Sequence, residues 1–157
     1  MSGDGHSGSD YGDGGQTQNK PAVKPIDRGL TQMENALQRP TMETYKAWRL
    51  SEDSKAAAKE RFSEDELWNG KGDAYRHLRW NYAMTQALGK ETAAAFADSH
   101  EVDDGQTTAE RDMDLRNNRL GRAMAVDPRF KSLSPDEAAG LALRKGWLHG
   151  LRGSFTK

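Results

Sequence analysis

Three short stretches of the chain place acids, imidazoles and amides at helical spacing. In Asp73-Ala74-Tyr75-Arg76-His77-Leu78-Arg79-Trp80-Asn81, the residues Asp73, His77 and Asn81 fall at i, i+4 and i+8 and share one helix face. A carboxylate one turn below an imidazole can orient it, share its proton or bind a metal beside it. The second stretch, Asp98-Ser99-His100-Glu101, adds another imidazole and another acid. The third runs from Met113 to Arg122 and sets Asp114, Asn118 and Gly121 on one face, with Asn117 at its edge. Adjacent asparagines in mid-helix run against propensity, because both side chains compete for backbone hydrogen bonds. Local breaches of this kind often mark a site.

If the three helices pack together, His77, His100, Glu101 and Asp114 converge. Two neutral imidazoles with carboxylates suit a divalent first-row ion, Zn²⁺ before the others, with one position open to water. The expected ligands are His77, His100 and Asp114. Such an ion lowers the pKa of its bound water, and Glu101 or Asp73 would take the proton, with His77 as a further acid/base group. Arg76 and Arg122, together with Asn117 and Asn118, are the expected anion and substrate contacts. Each residue also has a plainer reading. Asp73 can simply cap its helix, His100 can sit in the core, and Glu101 can be a solvated helix end. Asp114 can complement a helix dipole, and the two asparagines can tie down loops. The spacing is not HExxH, and Asn69-Gly70-Lys71-Gly72 lacks the length and the preceding strand of a phosphate loop.

Composition decides what must position these groups. The 157 residues include one isoleucine, Ile26, and three valines, Val23, Val102 and Val126, whereas alanine arrives in clusters such as Ala56-Ala57-Ala58 and Ala93-Ala94-Ala95. Strands favour β-branched residues and helices favour Ala, Leu, Met, Glu and Lys, so an all-α fold is expected, a compact bundle of about five helices. There is no cysteine, which removes disulfide and thiolate chemistry. A net charge of −1 gives no global attraction to nucleic acid or to anionic membranes. No apolar run is long enough for a membrane span or a signal peptide, so a soluble protein is expected, cytoplasmic in its producer, with any export through a specialised secretion system.

Residues 1–28 read as a disordered Gly/Ser/Asp-rich tail with a Pro-containing linker, and residues 29–157 as one helical domain. Within it a short helix is expected over Gly29–Gln38, then one from Met42 to about Arg61 with Tyr45, Trp48 and Ala56 inward. Ser51–Ser54 is a point where that helix could divide. Ser63-Glu64-Asp65-Glu66 reads as a capping box, followed by buried Leu67 and Trp68. The central helix should run from an Asp73 N-cap to Leu88, stopped by Gly89, with Ala74, Leu78, Tyr82, Thr85 and Leu88 packing. Further helices are expected over Glu91 to about Val102, Ala109 to about Ala125, and from Ser134-Pro135-Asp136-Glu137 to between Gly146 and Leu151. The four tryptophans, Trp48, Trp68, Trp80 and Trp147, are expected in the core, and His149 on the surface.

The ordered set Gly72-Asp73-Ala74-Tyr75-Arg76-His77-x2-Trp80-Asn81, Phe96-Ala97-Asp98-x-His100-Glu101 and Met113-Asp114-Leu115-x-Asn117-Asn118-x2-Gly121-Arg122 resembles an uncharacterised bacterial domain family found in toxin-like and phage-associated proteins. The resemblance covers about Asn69 to Arg122 and implies that the three segments form one site. It also implies a cognate immunity or secretion partner. A looser likeness is to all-α HD-type phosphohydrolases, with Glu101 where that pattern has Asp. The reading these residues support is an effector- or toxin-type hydrolase acting on an unknown substrate. Its competitor is a non-enzymatic interaction, secretion or phage accessory domain whose polar network only fixes helix packing. A nuclease is disfavoured by the net charge.

Overall fold

The computed structural model describes residues 42–101 and 105–155. Among them are five α-helices: α1 Met42–Arg61, α2 Lys71–Leu88, α3 Lys90–His100, α4 Thr108–Val126 and α5 Pro135–Lys145. A 3-10 turn, Glu64–Glu66, links α1 to α2, and β1 (His149–Gly150) pairs antiparallel with β2 (Gly153–Ser154) after α5. The all-α expectation therefore holds. The expected tail, the linker and the helix over Gly29–Gln38 lie outside the described residues.

Helix α2 packs against all four other helices. Its period places three different sets of side chains on three sides. Ala74, Leu78 and Tyr82, joined by Tyr75, meet Met113, Met124 and Ala125 of α4, the alanines Ala138, Ala139 and Ala142 of α5, and Leu148. Trp80 and Met84 meet Ala47 of α1 and Ala93 and Ala97 of α3. Between these apolar sides runs the polar ladder Asp73, His77, Asn81, all of it buried. Side-chain bonds lock the neighbours in place. Trp80 Nε1 donates to the Ala47 carbonyl (3.0 Å), Tyr82 Oη to the carbonyls of Phe130 (2.7 Å) and Leu133 (2.8 Å), and Arg79 to Asp136 of α5 (3.0 and 3.1 Å).

The helix ends follow local chemistry. Thr107 with Glu110 and Ser134 with Glu137 form reciprocal capping boxes at the starts of α4 and α5, and Gly146, left-handed at φ 69°, stops α5. The last helix thus ends at the near limit of the expected range. Two expected caps differ. Ser63 makes no cap bond to the backbone; its hydroxyl donates to the Glu66 carboxylate instead (3.2 Å). Helix α2 starts one turn's edge earlier than expected, with Gly70 as N-cap. Asp73 stands at the third helical position, where its Oδ2 accepts from the backbone N–H of Asn69 (2.8 Å).

The aromatic expectations need the larger correction. Only Trp80 of the four tryptophans is buried; Trp48 is 50% exposed, Trp68 67% and Trp147 36%, and Tyr45 is also exposed. Helix α1 is continuous through Ser51–Ser54 and turns its small residues, Ala47, Ser54 and Ala58, onto the bundle. That seam of small side chains lets two helices approach closely, and it leaves Tyr45, Trp48 and Ala56 on the outer side. Buried Ser54 accepts from Arg79 Nη1 (3.0 Å), so its hydroxyl is satisfied rather than helix-breaking. Among the described residues no helix is long and apolar enough to cross a membrane.

Candidate metal centre

Helices α2 and α4 each carry a polar ladder at i, i+4, i+8, and the two ladders face each other. Asp73, His77 and Asn81 lie opposite Asp114, Asn118 and Arg122, and every one of these side chains is buried. Such close apposition requires a gap in one helix surface, and Gly121 supplies it. A Cβ there would stand 2.3 Å from the Leu78 carbonyl oxygen and 3.1 Å from Asn81 Cβ. Glu101, the residue that ends α3, enters the seam from the side and is likewise buried.

Asn118 is the hub. Its Nδ2 donates to Glu101 Oε1 (3.1 Å), which turns its Oδ1 toward α2, where Asn81 Nδ2 donates to it (2.7 Å). Arg122 Nη1 fixes the other end of the Asn81 amide by donating to Asn81 Oδ1 (2.7 Å). With the amide so oriented, His77 Nδ1, 3.0 Å from Asn118 Oδ1, must carry its proton and donate. The lone pair of His77 is therefore on Nε2. That atom lies 3.5 Å from Asp73 Oδ1, 3.4 Å from Asp114 Oδ1 and 3.2 Å from Arg76 Nη2. Arg76 Nη2 also donates to Asp73 Oδ1. On the far side, Asp114 Oδ2 accepts from Gln106 Nε2 (3.0 Å).

Among the described residues no N–H or O–H group reaches two buried carboxylate oxygens of this seam, Asp114 Oδ1 and Glu101 Oε2, and the two acids can bond each other when one holds a proton. The electrostatics answer to that crowding. Burial, with Glu101 and Asp73 adding negative charge, pushes the Asp114 carboxyl up to about 8. Burial also raises Glu101, which lies within hydrogen-bonding reach of Asp114. His77 is held well below its usual value, first by burial and then by the charges of Arg76 and His100, so it is neutral at pH 7. A neutral imidazole whose lone pair faces carboxylates is the protonation state a metal requires. One ligand atom from each of Asp73, His77 and Asp114 lies within 4.8 Å of the others, so this group can hold a metal ion. Bonds of about 2.0–2.1 Å in a tetrahedral site put ligands roughly 3.3 Å apart, close to the separations of His77 Nε2 from both acids.

The group that can hold an ion differs from the expected ligands at one position. Asp73 joins His77 and Asp114, while His100 lies outside the trio, its ring edge-on to Trp80 with centroids 5.5 Å apart. His100 stays near enough to depress the His77 pKa. Arg122, expected to hold an anion, is turned inward to Asn81, and its other nitrogen lies 3.7 Å from Asp98. Asn117, the next residue round α4, points away from the seam toward the C-terminal hairpin. It holds the C-terminal hairpin by accepting from His149 N–H (2.9 Å) and donating to the His149 carbonyl (2.8 Å). That clasp makes His149 half-buried rather than exposed.

Two participants carry no advance signal. Gln106 stands in what reads as an ordinary polar loop. Asn69 adopts a left-handed φ of 56°, which frees its N–H for Asp73 and sends its side chain to Glu110 Oε1 (2.6 Å). An asparagine before Gly-x-Gly is compatible with such a turn, and that is the only hint available.

No curated protein and no solved structure shows significant similarity to the chain. One family model matches residues 34–140, a span that contains all three polar segments and the hub between them. The chain therefore belongs to the DUF6973 family, described as a domain of unknown function.

Proposed function

We propose that this chain is a divalent-metal-dependent hydrolase domain, with the ion held by Asp73, His77 and Asp114 and with Zn²⁺ as the first candidate. One observation carries the reading. His77 Nε2, approached by Arg76 Nη2 at 3.2 Å, and Asp114 Oδ1, which receives no N–H from the described residues, converge with Asp73 Oδ1 in one buried seam, where imperfectly compensated charge is costly. A divalent cation satisfies the imidazole lone pair and both acids at once. When bound, the ion supplies Lewis-acid polarisation and an acidified water. Glu101 is the residue placed to take a proton. Its Oε1 is held by Asn118, its Oε2 receives no N–H from the described residues, and its raised pKa brings it toward the working range of a general base. Asn118, Asn81 and Arg122 are positioning residues that fix the His77 tautomer and the Glu101 carboxylate. The effector or toxin setting, with an immunity or secretion partner, draws its support from the motif resemblance.

A second reading has its own observation. The acids and His77 are each only about 3% exposed, and neither the surface groove between Arg61 and Phe155 nor that between Asp53 and Asp136 includes them. A site so enclosed also suits a non-enzymatic domain in which metal or proton merely staples three helices. Glu101→Gln separates the two. As a hydrolase, the variant keeps its metal and its fold and loses turnover on a panel of chromogenic phosphoesters, carboxyl esters and amides. A staple shows no wild-type turnover on any class, and that result would overturn the enzymatic reading.

A further inference from the structure

We propose that Arg76 is the resident counter-ion of this centre and exchanges with the divalent ion. Ion entry turns its guanidinium out to the mouth, where it receives an anionic substrate of the phosphate or carboxylate class. The inference rests on the metal reading above. Its starting point is a single atom: Arg76 Nη2 both donates to Asp73 Oδ1 and lies 3.2 Å from His77 Nε2. Nε2 has one lone pair, and an ion bonded to it at about 2.0–2.1 Å cannot share that space with the guanidinium. The arginine thus stands where the structure otherwise collects ligand atoms, next to the buried Asp114 Oδ1, which receives no N–H from the described residues.

The same arginine is poorly satisfied and well placed to leave. Its Nε is buried with no partner, so only part of its donor fork is used. Its side chain is 27% exposed, while those of Asp73, His77 and Asp114 are each 4% exposed, so it links the pocket to solvent. Losing the bond to Asp73 on ion entry leaves the guanidinium tethered to the first turns of α2, one side-chain length from the ion. A planar donor fork beside a divalent cation recognises phosphate or carboxylate oxygens.

The test uses the full chain and the metal alone, titrating Mn²⁺ or Zn²⁺ into wild type, Arg76→Gln and Arg76→Lys. Exchange predicts at least about tenfold tighter binding by Arg76→Gln, about 1.4 kcal/mol, with Arg76→Lys between. In wild type it predicts that the Arg76 Nε–H, slow to exchange with solvent in EDTA, becomes fast when the ion is added, a readout that needs no variant. Equal or weaker binding by Arg76→Gln, with wild type still binding, would overturn the exchange and leave the metal reading standing. Binding by neither protein would overturn both. Binding by Arg76→Gln alone would overturn the exchange, since the guanidinium would then keep the ion out of the native chain. Inorganic phosphate, titrated into the Mn²⁺-loaded proteins, reads the substrate class. It should bind wild type at least about tenfold tighter than Arg76→Gln, and equal affinity would remove the anion role.

Discussion

Substituting Gly121 by alanine probes the contact on which the whole centre depends. The added Cβ would lie 2.3 Å from the Leu78 carbonyl oxygen, about 1 Å short of an ordinary contact, and the obstructing atom is backbone that cannot rotate away. Helices α2 and α4 must separate. Overpacking of this kind costs about 1–3 kcal/mol, here at the upper end, while the better helix propensity of alanine returns up to about 1 kcal/mol. Separation also stretches the 2.7 Å bonds from Arg122 to Asn81 and from Asn81 to Asn118, within one turn of the clash, at about 1 kcal/mol for each bond weakened. The net expectation is a loss of about 4 kcal/mol, or a Tm lower by roughly 10–15 °C for a domain of this size. Gly140 in α5 is the internal control. Its added Cβ meets only the end of the Arg144 side chain at 3.3 Å, so Gly140→Ala should be neutral or stabilising by about 0.5–1 kcal/mol. Urea melts of both variants decide the matter. A loss below about 1 kcal/mol for Gly121→Ala, or an equal loss for Gly140→Ala, would refute the close approach.

Three other outcomes follow from the seam and its flank. Asp114 has a folded pKa raised from 3.8 to about 8, so in EDTA its contribution is complete below about pH 4 and is lost as the pH rises through 8. His77 is shifted the other way, and its contribution is lost as the pH falls below 6.5. Asp114→Asn should therefore stabilise the metal-free protein by about 2 kcal/mol or more at pH 8 and flatten the alkaline limb, as read from melts between pH 5 and 9. An unchanged limb would contradict the assignment. Asn118→Ala strands the Asn81 amide, His77 Nδ1 and Glu101 Oε1 together and should cost about 3–5 kcal/mol. Asn117→Ala should instead cost about 1–2 kcal/mol and speed amide exchange at His149, and similar losses for the two asparagines would show that Asn118 is no hub.

The polar ladders were legible because helix phase is a local property. Spacing alone sets Asp73, His77 and Asn81 on one face, and Asp114 and Asn118 on another, before any neighbour is known. What the phase leaves open is which neighbour a face meets. His100 shares the inward face of α3, but its inward direction there is toward Trp80, and the third member of the trio is Asp73 instead. The same gap explains the tryptophans. Large apolar side chains are a fair guide to burial only where helices are held apart by them. In this bundle Ala47, Ser54 and Ala58 make the seam, and Trp48 is left outside. Caps reached through ordinary Ser/Thr-x-x-Glu chemistry were readable at Ser134. The start of α2 was not, because the third-position Asp73 reaches back to a left-handed Asn69.

Metal binding itself is most directly tested by thermal melts of the full chain in EDTA and after addition of Zn²⁺, Mn²⁺, Mg²⁺ or Ca²⁺, repeated with Asp73→Asn. An ion that binds only the folded state stabilises it by about 2.7 kcal/mol at a hundred times its Kd. The account predicts a saturable, ion-specific rise in Tm, largest for Zn²⁺ or Mn²⁺ and lost in Asp73→Asn. A wild-type Tm unchanged by every ion would contradict it and leave the buried acids as a proton-bridged staple between the helices.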